Sequence, residues 1–192
     1  MNYPATVDWG RYGWAQMTAT LAAGTNTVSF TKAGSFAELD TLHVHRASAG
    51  LDPQFRIINR NSGKSLEILG ASTADGAGAG QWGDTGNPTQ VWSVSQVTGG
   101  IQLKNVNSGK LLEIGSAATA NGVQATQWGP TGNATQVWSP TVSGGWWKLA
   151  NANSGKLLEI AGASTADGAT AQQYTANGFT CQQWKLVREG IQ

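Results

Sequence analysis

Asn107-Ser108-Gly109-Lys110-Leu111-Leu112-Glu113-Ile114 is the stretch that decides the fold, because the chain contains it three times. Asn61–Ile68 and Asn153–Ile160 repeat it almost letter for letter, and Lys64, Lys110 and Lys156 mark one period of 46 residues. Residues 55 to 187 therefore read as three copies of one unit. Each Asn-Ser-Gly is a turn, with Gly63, Gly109 and Gly155 free to take positive φ. The turn joins an opening strand (55–59, 101–105 and 147–151) to a short Leu-Glu-Ile strand. Alternation along that strand places Leu66 and Ile68 on one face and Glu67 alone on the other, facing outward. Leu112, Glu113 and Ile114 repeat the arrangement, as do Leu158, Glu159 and Ile160.

Outward from this stretch, Asp75-Gly76, Asn121-Gly122 and Asp167-Gly168 are tight-turn signals. A third strand then ends in Trp82, Trp128 or Tyr174. Gln81 and its copies point inward on that strand, and the rings point the other way. After a Gly-rich loop, a fourth strand carries Gln90-Val91-Trp92, Gln136-Val137-Trp138 and Gln182-Gln183-Trp184, with Gln and Trp two apart on one face. One unit of four short strands cannot bury its own apolar face. Three units closing around an axis can, with Leu66, Ile68, Trp92 and their copies at the centre. A solenoid needs atypical end repeats and a propeller needs at least four blades. The expected fold is all-β with pseudo-threefold symmetry.

Three Gln-x-Trp motifs, each paired with a Ser-Gly-Lys-x-Leu-acid-Ile strand, resemble the ricin B-type lectin β-trefoil, the family 13 carbohydrate-binding modules. On this resemblance a trefoil lectin domain spans 51–190. The residues themselves suit sugar recognition. An aromatic ring offers a flat apolar face to the C–H side of a pyranose, and a carboxylate accepts charge-assisted hydrogen bonds from hydroxyls. The candidate sites are Glu67 and Trp82 with Asn87, Thr89 and Gln90; Glu113 and Trp128 with Asn133, Thr135 and Gln136; and Glu159 and Tyr174 with Gln172 and Gln182. Shallow sites of this kind would act together on a long polymer.

The resemblance also implies departures. Ricin-type sites usually have Asp where Glu67, Glu113 and Glu159 stand, and Asn where Thr89, Thr135 and Cys181 stand. A Glu reaches further and a Thr less far, so the two changes either compensate or silence the sites. Asn87 and Asn133 are placed to supply the lost amide. Trp92, Trp138 and Trp184 read as core. Gln90 and its copies also read as turn or core hydrogen bonders, and Lys64, Lys110 and Lys156 as solvated hairpin residues.

Residues 1–50 read as short antiparallel strands. Leu21-Ala-Ala-Gly-Thr-Asn-Thr-Val28 followed by Glu38-Leu-Asp-Thr-Leu-His-Val44 is similar to the last strands of the carbohydrate-binding β-sandwiches of families 6 and 35. The segment is expected to be the tail of a truncated sandwich, joined through 48–53 to the repeats. His43 and His45 share a strand face and read as solvent-facing, and Asp40 is at most a remnant calcium ligand. An exposed edge here would invite pairing with a second copy, giving a homodimer.

Composition excludes other classes. Charged residues are 12% of the chain and the net charge is +1, without the basic stripe of a nucleic-acid binder. No run of about eighteen apolar residues would span a membrane. One cysteine, Cys181, allows no intrachain disulfide. The N-terminus lacks the pattern of a signal peptide, and an extracellular location is what the resemblance implies. Nine tryptophans exceed what a core of this size needs, leaving room for exposed ring platforms. The three glutamates occupy threefold-related positions, not the paired geometry of glycoside hydrolysis. No zinc cluster, phosphate loop or Ser-His-Asp set is present, so neither catalysis nor a cofactor is expected. The expected function is carbohydrate binding by a non-catalytic module of a secreted multimodular glycoside hydrolase. Its ligand would be xylan, arabinan or a galactose-containing glycan. The alternative is a structural or protein-interaction trefoil.

Overall fold

In the computed structural model, the residues described are 53–189, within the second of two units, Asp52–Gln192. The sandwich remnant, His43, His45, Asp40 and the dimer edge lie outside the described residues. The turns set the local structure. Gly63, Gly109 and Gly155 have φ of 71°, 72° and 70°, a region that a Cβ disfavours. Nothing lies within 4 Å of where a Cβ would sit, so conformation, not space, asks for glycine. A buried asparagine ends each opening strand and caps its turn. The side-chain oxygens of Asn59, Asn105 and Asn151 accept from the backbone N–H of Asn61, Asn107 and Asn153 at 3.0, 3.2 and 3.2 Å. Their amides donate to the carbonyls of Cys181, Thr89 and Thr135, each at 2.8 Å. Each asparagine thus ties its own turn to a loop in the preceding lobe.

Among the described residues twelve strands result, four per lobe. Lobe 1 holds β1 (Gln54–Asn59), β2 (Ser65–Ile68), β3 (Ala79–Trp82) and β4 (Val91–Val97). Lobe 2 holds β5 (Gly100–Asn105), β6 (Leu111–Ile114), β7 (Ala125–Trp128) and β8 (Trp138–Ser143). Lobe 3 holds β9 (Trp146–Asn151), β10 (Leu157–Ile160), β11 (Ala171–Tyr174) and β12 (Trp184–Arg188). The antiparallel pairs β1–β4, β4–β5, β5–β8, β8–β9, β9–β12 and β12–β1 close a six-stranded ring. Closure leaves this ring without a free edge. The hairpins β2–β3, β6–β7 and β10–β11 form the remaining layer. This is the threefold closure that the repeat period predicts, and the β-trefoil that the resemblance implies.

The hairpins interlock across lobes. Gln127 N–H donates to Ala77 O at 2.9 Å, and Gly76 N–H donates to Gln127 O at 2.8 Å. Gln173 with Gly122 and Val123, and Gln81 with Gly168 and Ala169, repeat the exchange. The fully buried side chains of these glutamines also reach into the neighbouring lobe. Gln81 Nε2 donates to Ser164 O and Ala166 O at 2.9 and 3.0 Å, so its inward, structural reading holds.

Leu66, Ile68, Trp92 and all their copies are 0% exposed. Each core indole N–H finds a partner: Trp92, Trp138 and Trp184 Nε1 donate to the carbonyls of Leu66, Leu112 and Leu158 at 2.9, 3.1 and 3.0 Å. A buried indole without a partner would carry a desolvation cost. Two expectations need correction. Gln90, Gln136 and Gln182 do not lie on the fourth strand. They end the 3₁₀ turns Pro88–Gln90, Ala134–Gln136 and Thr180–Gln182, because the chain must turn from the surface loop before it can enter the ring. Lys64 and Lys110 are not simply solvated. They pair across lobes with Asp167 and Asp75, the latter at 2.5 Å. Lys156 meets Thr175 Oγ1 at 3.3 Å instead, since Asn121 stands at the corresponding turn.

Candidate carbohydrate site

Strand parity puts Glu67, Glu113 and Glu159 opposite the core leucines, as expected. Yet the carboxylates do not face open solvent: the residues are 8%, 6% and 4% exposed. The 3₁₀ turn and the loop before the Gln-x-Trp pack over that face and make the carboxylate the floor of a cleft. The glutamine of the motif holds it there. Gln90 Nε2 donates to Glu67 Oε2 at 3.0 Å, Gln136 Nε2 to Glu113 Oε2 at 3.1 Å, and Gln182 Nε2 to Glu159 Oε2 at 2.9 Å. Gln90 Nε2 also donates to Gly83 O at 2.8 Å, and Gln90 Oε1 accepts from Thr85 N–H at 3.0 Å. The loop and the acid are therefore fixed by one amide. None of these three glutamates takes part in an ion pair among the described residues.

The rings stand at the rim. Trp82, Trp128 and Tyr174 are 42%, 43% and 37% exposed, a costly arrangement for large apolar faces unless something covers them. A glycine of the neighbouring lobe seats each tryptophan. A Cβ on Gly168 would lie 3.6 Å from Trp82 Cζ3, and one on Gly76 3.6 Å from Trp128 Cζ3.

The facing wall is a strained turn. Ala71, Ala117 and Ala163 have φ of 51°, 49° and 50°, a conformation that alanine adopts only when its surroundings impose it. An asparagine from the next lobe holds each carbonyl: Asn107 Nδ2 donates to Ala71 O at 3.4 Å, Asn153 to Ala117 O at 3.1 Å, and Asn61 to Ala163 O at 2.8 Å. These asparagines were not singled out in the sequence as site residues. Their one signal was their place at the head of the repeated stretch. Each of these walls is consequently built by two lobes.

In lobe 1, Glu67, Trp82, Asn87, Thr89 and Asn107 line a cleft of about 410 Å³. In lobe 2, Glu113, Trp128, Asn133, Thr135 and Asn153 line one of about 800 Å³. Both volumes lie in the range of small-molecule sites. The structure therefore brings Asn87 and Asn133 into the clefts beside the acid and the ring. It gives Gln90, Gln136 and Gln182 the task of positioning the acid. Gln172 lies directly on Glu159, donating from Nε2 to Oε1 at 2.8 Å. Among the described residues, no group of three His, Cys, Asp or Glu could hold a metal ion.

Burial raises the Glu67 and Glu113 carboxyl pKa above the ordinary value; the bonds from Gln90 and Gln136 oppose this, and the charges of Asp167 and Asp75 add to it. A sugar hydroxyl bound at these carboxylates would donate to the ionised form, and protonation would remove that acceptor. Affinity is therefore expected to fall on acidification, beginning at a higher pH than an ordinary glutamate near 4.3 would give. Titrating the dissociation constant against pH checks this. A flat profile down to the ordinary glutamate range would contradict it.

A ricin-type beta-trefoil lectin domain-like model matches residues 43–128, 88–169 and 134–191. Among solved structures, the designed three-fold symmetric protein ThreeFoil is 37% identical with a TM-score of 0.69, covering 71% of this chain and 99% of that one. An exo-beta-1,3-galactanase from Clostridium thermocellum is 35% identical with a TM-score of 0.69; the match covers 71% of this chain but only 30% of the galactanase. The Macrolepiota procera ricin B-like lectin, solved in complex with lactose, shares the fold at 15% identity and a TM-score of 0.63, over 74% of this chain and 99% of that one. No curated protein sequence matches the chain. Three overlapping matches that together run from residue 43 to residue 191, over a closed ring of six strands and three hairpins, place this chain in the ricin-type β-trefoil lectin domain-like family.

Proposed function

We propose that this chain binds carbohydrate without catalysis, as a polysaccharide-targeting module of the family 13 type carried by a secreted multimodular glycoside hydrolase. One observation carries the reading. In lobes 1 and 2 a buried carboxylate has one oxygen held by glutamine, while its Oε1 makes no hydrogen bond among the described residues, and an exposed tryptophan stands at the same cleft. That is an acceptor for a sugar hydroxyl below a platform for its C–H face. The glutamates lie one per lobe, which suits separate binding sites better than a paired acid and base.

Galactose-containing glycans are the leading ligand class. The support is the 35% identity to part of a galactanase and the lactose complex of a lectin with the same fold. Xylan and arabinan are the competing polymers. Affinity electrophoresis through gels containing β-1,3-galactan, xylan or arabinan tests the reading. Retardation by galactan supports it, and retardation only by xylan or arabinan moves the ligand class. Migration unchanged in every gel, with no response to lactose in solution, would favour a trefoil that serves as a scaffold or protein-interaction surface.

A further inference from the structure

The three lobes differ at the residue directly across the hairpin from the acid. Glu67 pairs with Gly80, Glu113 with Thr126 and Glu159 with Gln172. Glycine offers no side chain there. Among the described residues, Thr126 makes no hydrogen bond to Glu113, whose one side-chain partner is Gln136. Gln172 alone is long enough to reach its acid, and it does, at 2.8 Å to Oε1. With Gln182 on Oε2 at 2.9 Å, both oxygens of Glu159 are engaged from within the protein.

Three further differences point the same way. Thr180 Oγ1 donates to Asn61 Oδ1 at 3.0 Å, whereas Pro88 and Ala134 at the corresponding positions have no hydroxyl to give Asn107 or Asn153. Phe179, 64% exposed, replaces the cleft amides Asn87 and Asn133. Buried Cys181 replaces Thr89 and Thr135. In lobe 3 the acid and the bridging asparagine are thus already bonded, and the positions of Asn87 and Asn133 and of Thr89 and Thr135 carry less polar side chains.

We propose that Gln172 is a built-in occupant of the third cleft, so that the chain takes up sugar through lobes 1 and 2 alone. The inference rests on the carbohydrate reading above. A sugar entering lobe 3 must first displace a bond to a charged acceptor, which weakens binding there by roughly ten- to a hundredfold relative to lobes 1 and 2. Gln172 then sets the valency of the module, and valency sets avidity on a polymer.

The test is an NMR titration of the isotopically labelled chain with lactose, following backbone amides and indole N–H groups assigned to each lobe. In the wild type, shifts are expected around Glu67 and Glu113 and none around Glu159. Gln172→Thr copies the lobe 2 residue and is expected to make the third cleft respond. Thr126→Gln is expected to silence the second. Unchanged signals elsewhere in the chain report that both variants keep the fold. Equal response of all three lobes in the wild type would overturn the inference, as would a third lobe that stays silent in Gln172→Thr while the first two respond. If lobes 1 and 2 are themselves silent, the galactoside reading fails, and this inference fails with it.

Discussion

Replacing Trp82, Trp128 and Tyr174 together by alanine is expected to remove polysaccharide retention almost entirely. A ring of this kind, central to a small contact, is worth about 2 kcal/mol, or roughly thirtyfold in affinity, at each site. Sites acting together on one polymer multiply such losses, so the triple variant should lose at least a hundredfold in apparent affinity. Lobes 1 and 2 should account for most of it. Stability should change far less, because the rings stand at the rim, 42%, 43% and 37% exposed, outside the closed ring of strands. The measurement is affinity electrophoresis beside urea denaturation of the same variant. Retention equal to the wild type, with the fold intact, would remove the rings from the binding site. Loss of the fold would show that they are structural, contrary to their position.

The second large effect lies in the core. Trp138 is 0% exposed and its Nε1 donates to Leu112 O at 3.1 Å. Trp138→Ala opens a cavity costing about 3–5 kcal/mol and leaves that carbonyl without a partner, at about 1–3 kcal/mol more. Whole domains are held by only about 5–15 kcal/mol, so this one substitution is expected to leave the chain largely unfolded at ambient temperature. Trp138→Phe keeps much of the volume and loses the N–H, and should cost about 1–3 kcal/mol. Urea titration followed by far-UV circular dichroism measures both. A loss below about 1 kcal/mol in the alanine variant would mean that Trp138 does not close the core. Binding should follow the fold here, since the same indole holds the strand that carries Glu113.

These two predictions separate the two kinds of tryptophan, and the sequence already told them apart. Trp138 reads as core from its place in the repeated Gln-x-Trp, whereas Trp128 ends a strand on the face opposite Gln127. Alternation is a property of one strand, and one strand's residues suffice to read it. The repeat period was legible for a similar reason: 46 residues separate every corresponding pair, and units too small to bury a face must share one.

Other features were beyond that reading. Nothing local says that Glu67 lies beneath a loop, because its cover comes from Gln90, 23 residues away. Nothing local ties Asn107 to Ala71, 36 residues away in another lobe. The lysines looked solvated because their aspartate partners sit 103 and 35 residues distant.

By itself, then, the sequence determined the unit, its threefold repetition, the parity of each strand and which rings face out, since each follows from spacing along one chain segment. The tertiary structure alone decided that each acid is buried and held by the glutamine of its Gln-x-Trp, and that an asparagine from the next lobe holds the strained turn across from it. Those contacts join segments 23 to 102 residues apart, and only the folded trefoil brings their atoms within hydrogen-bonding distance.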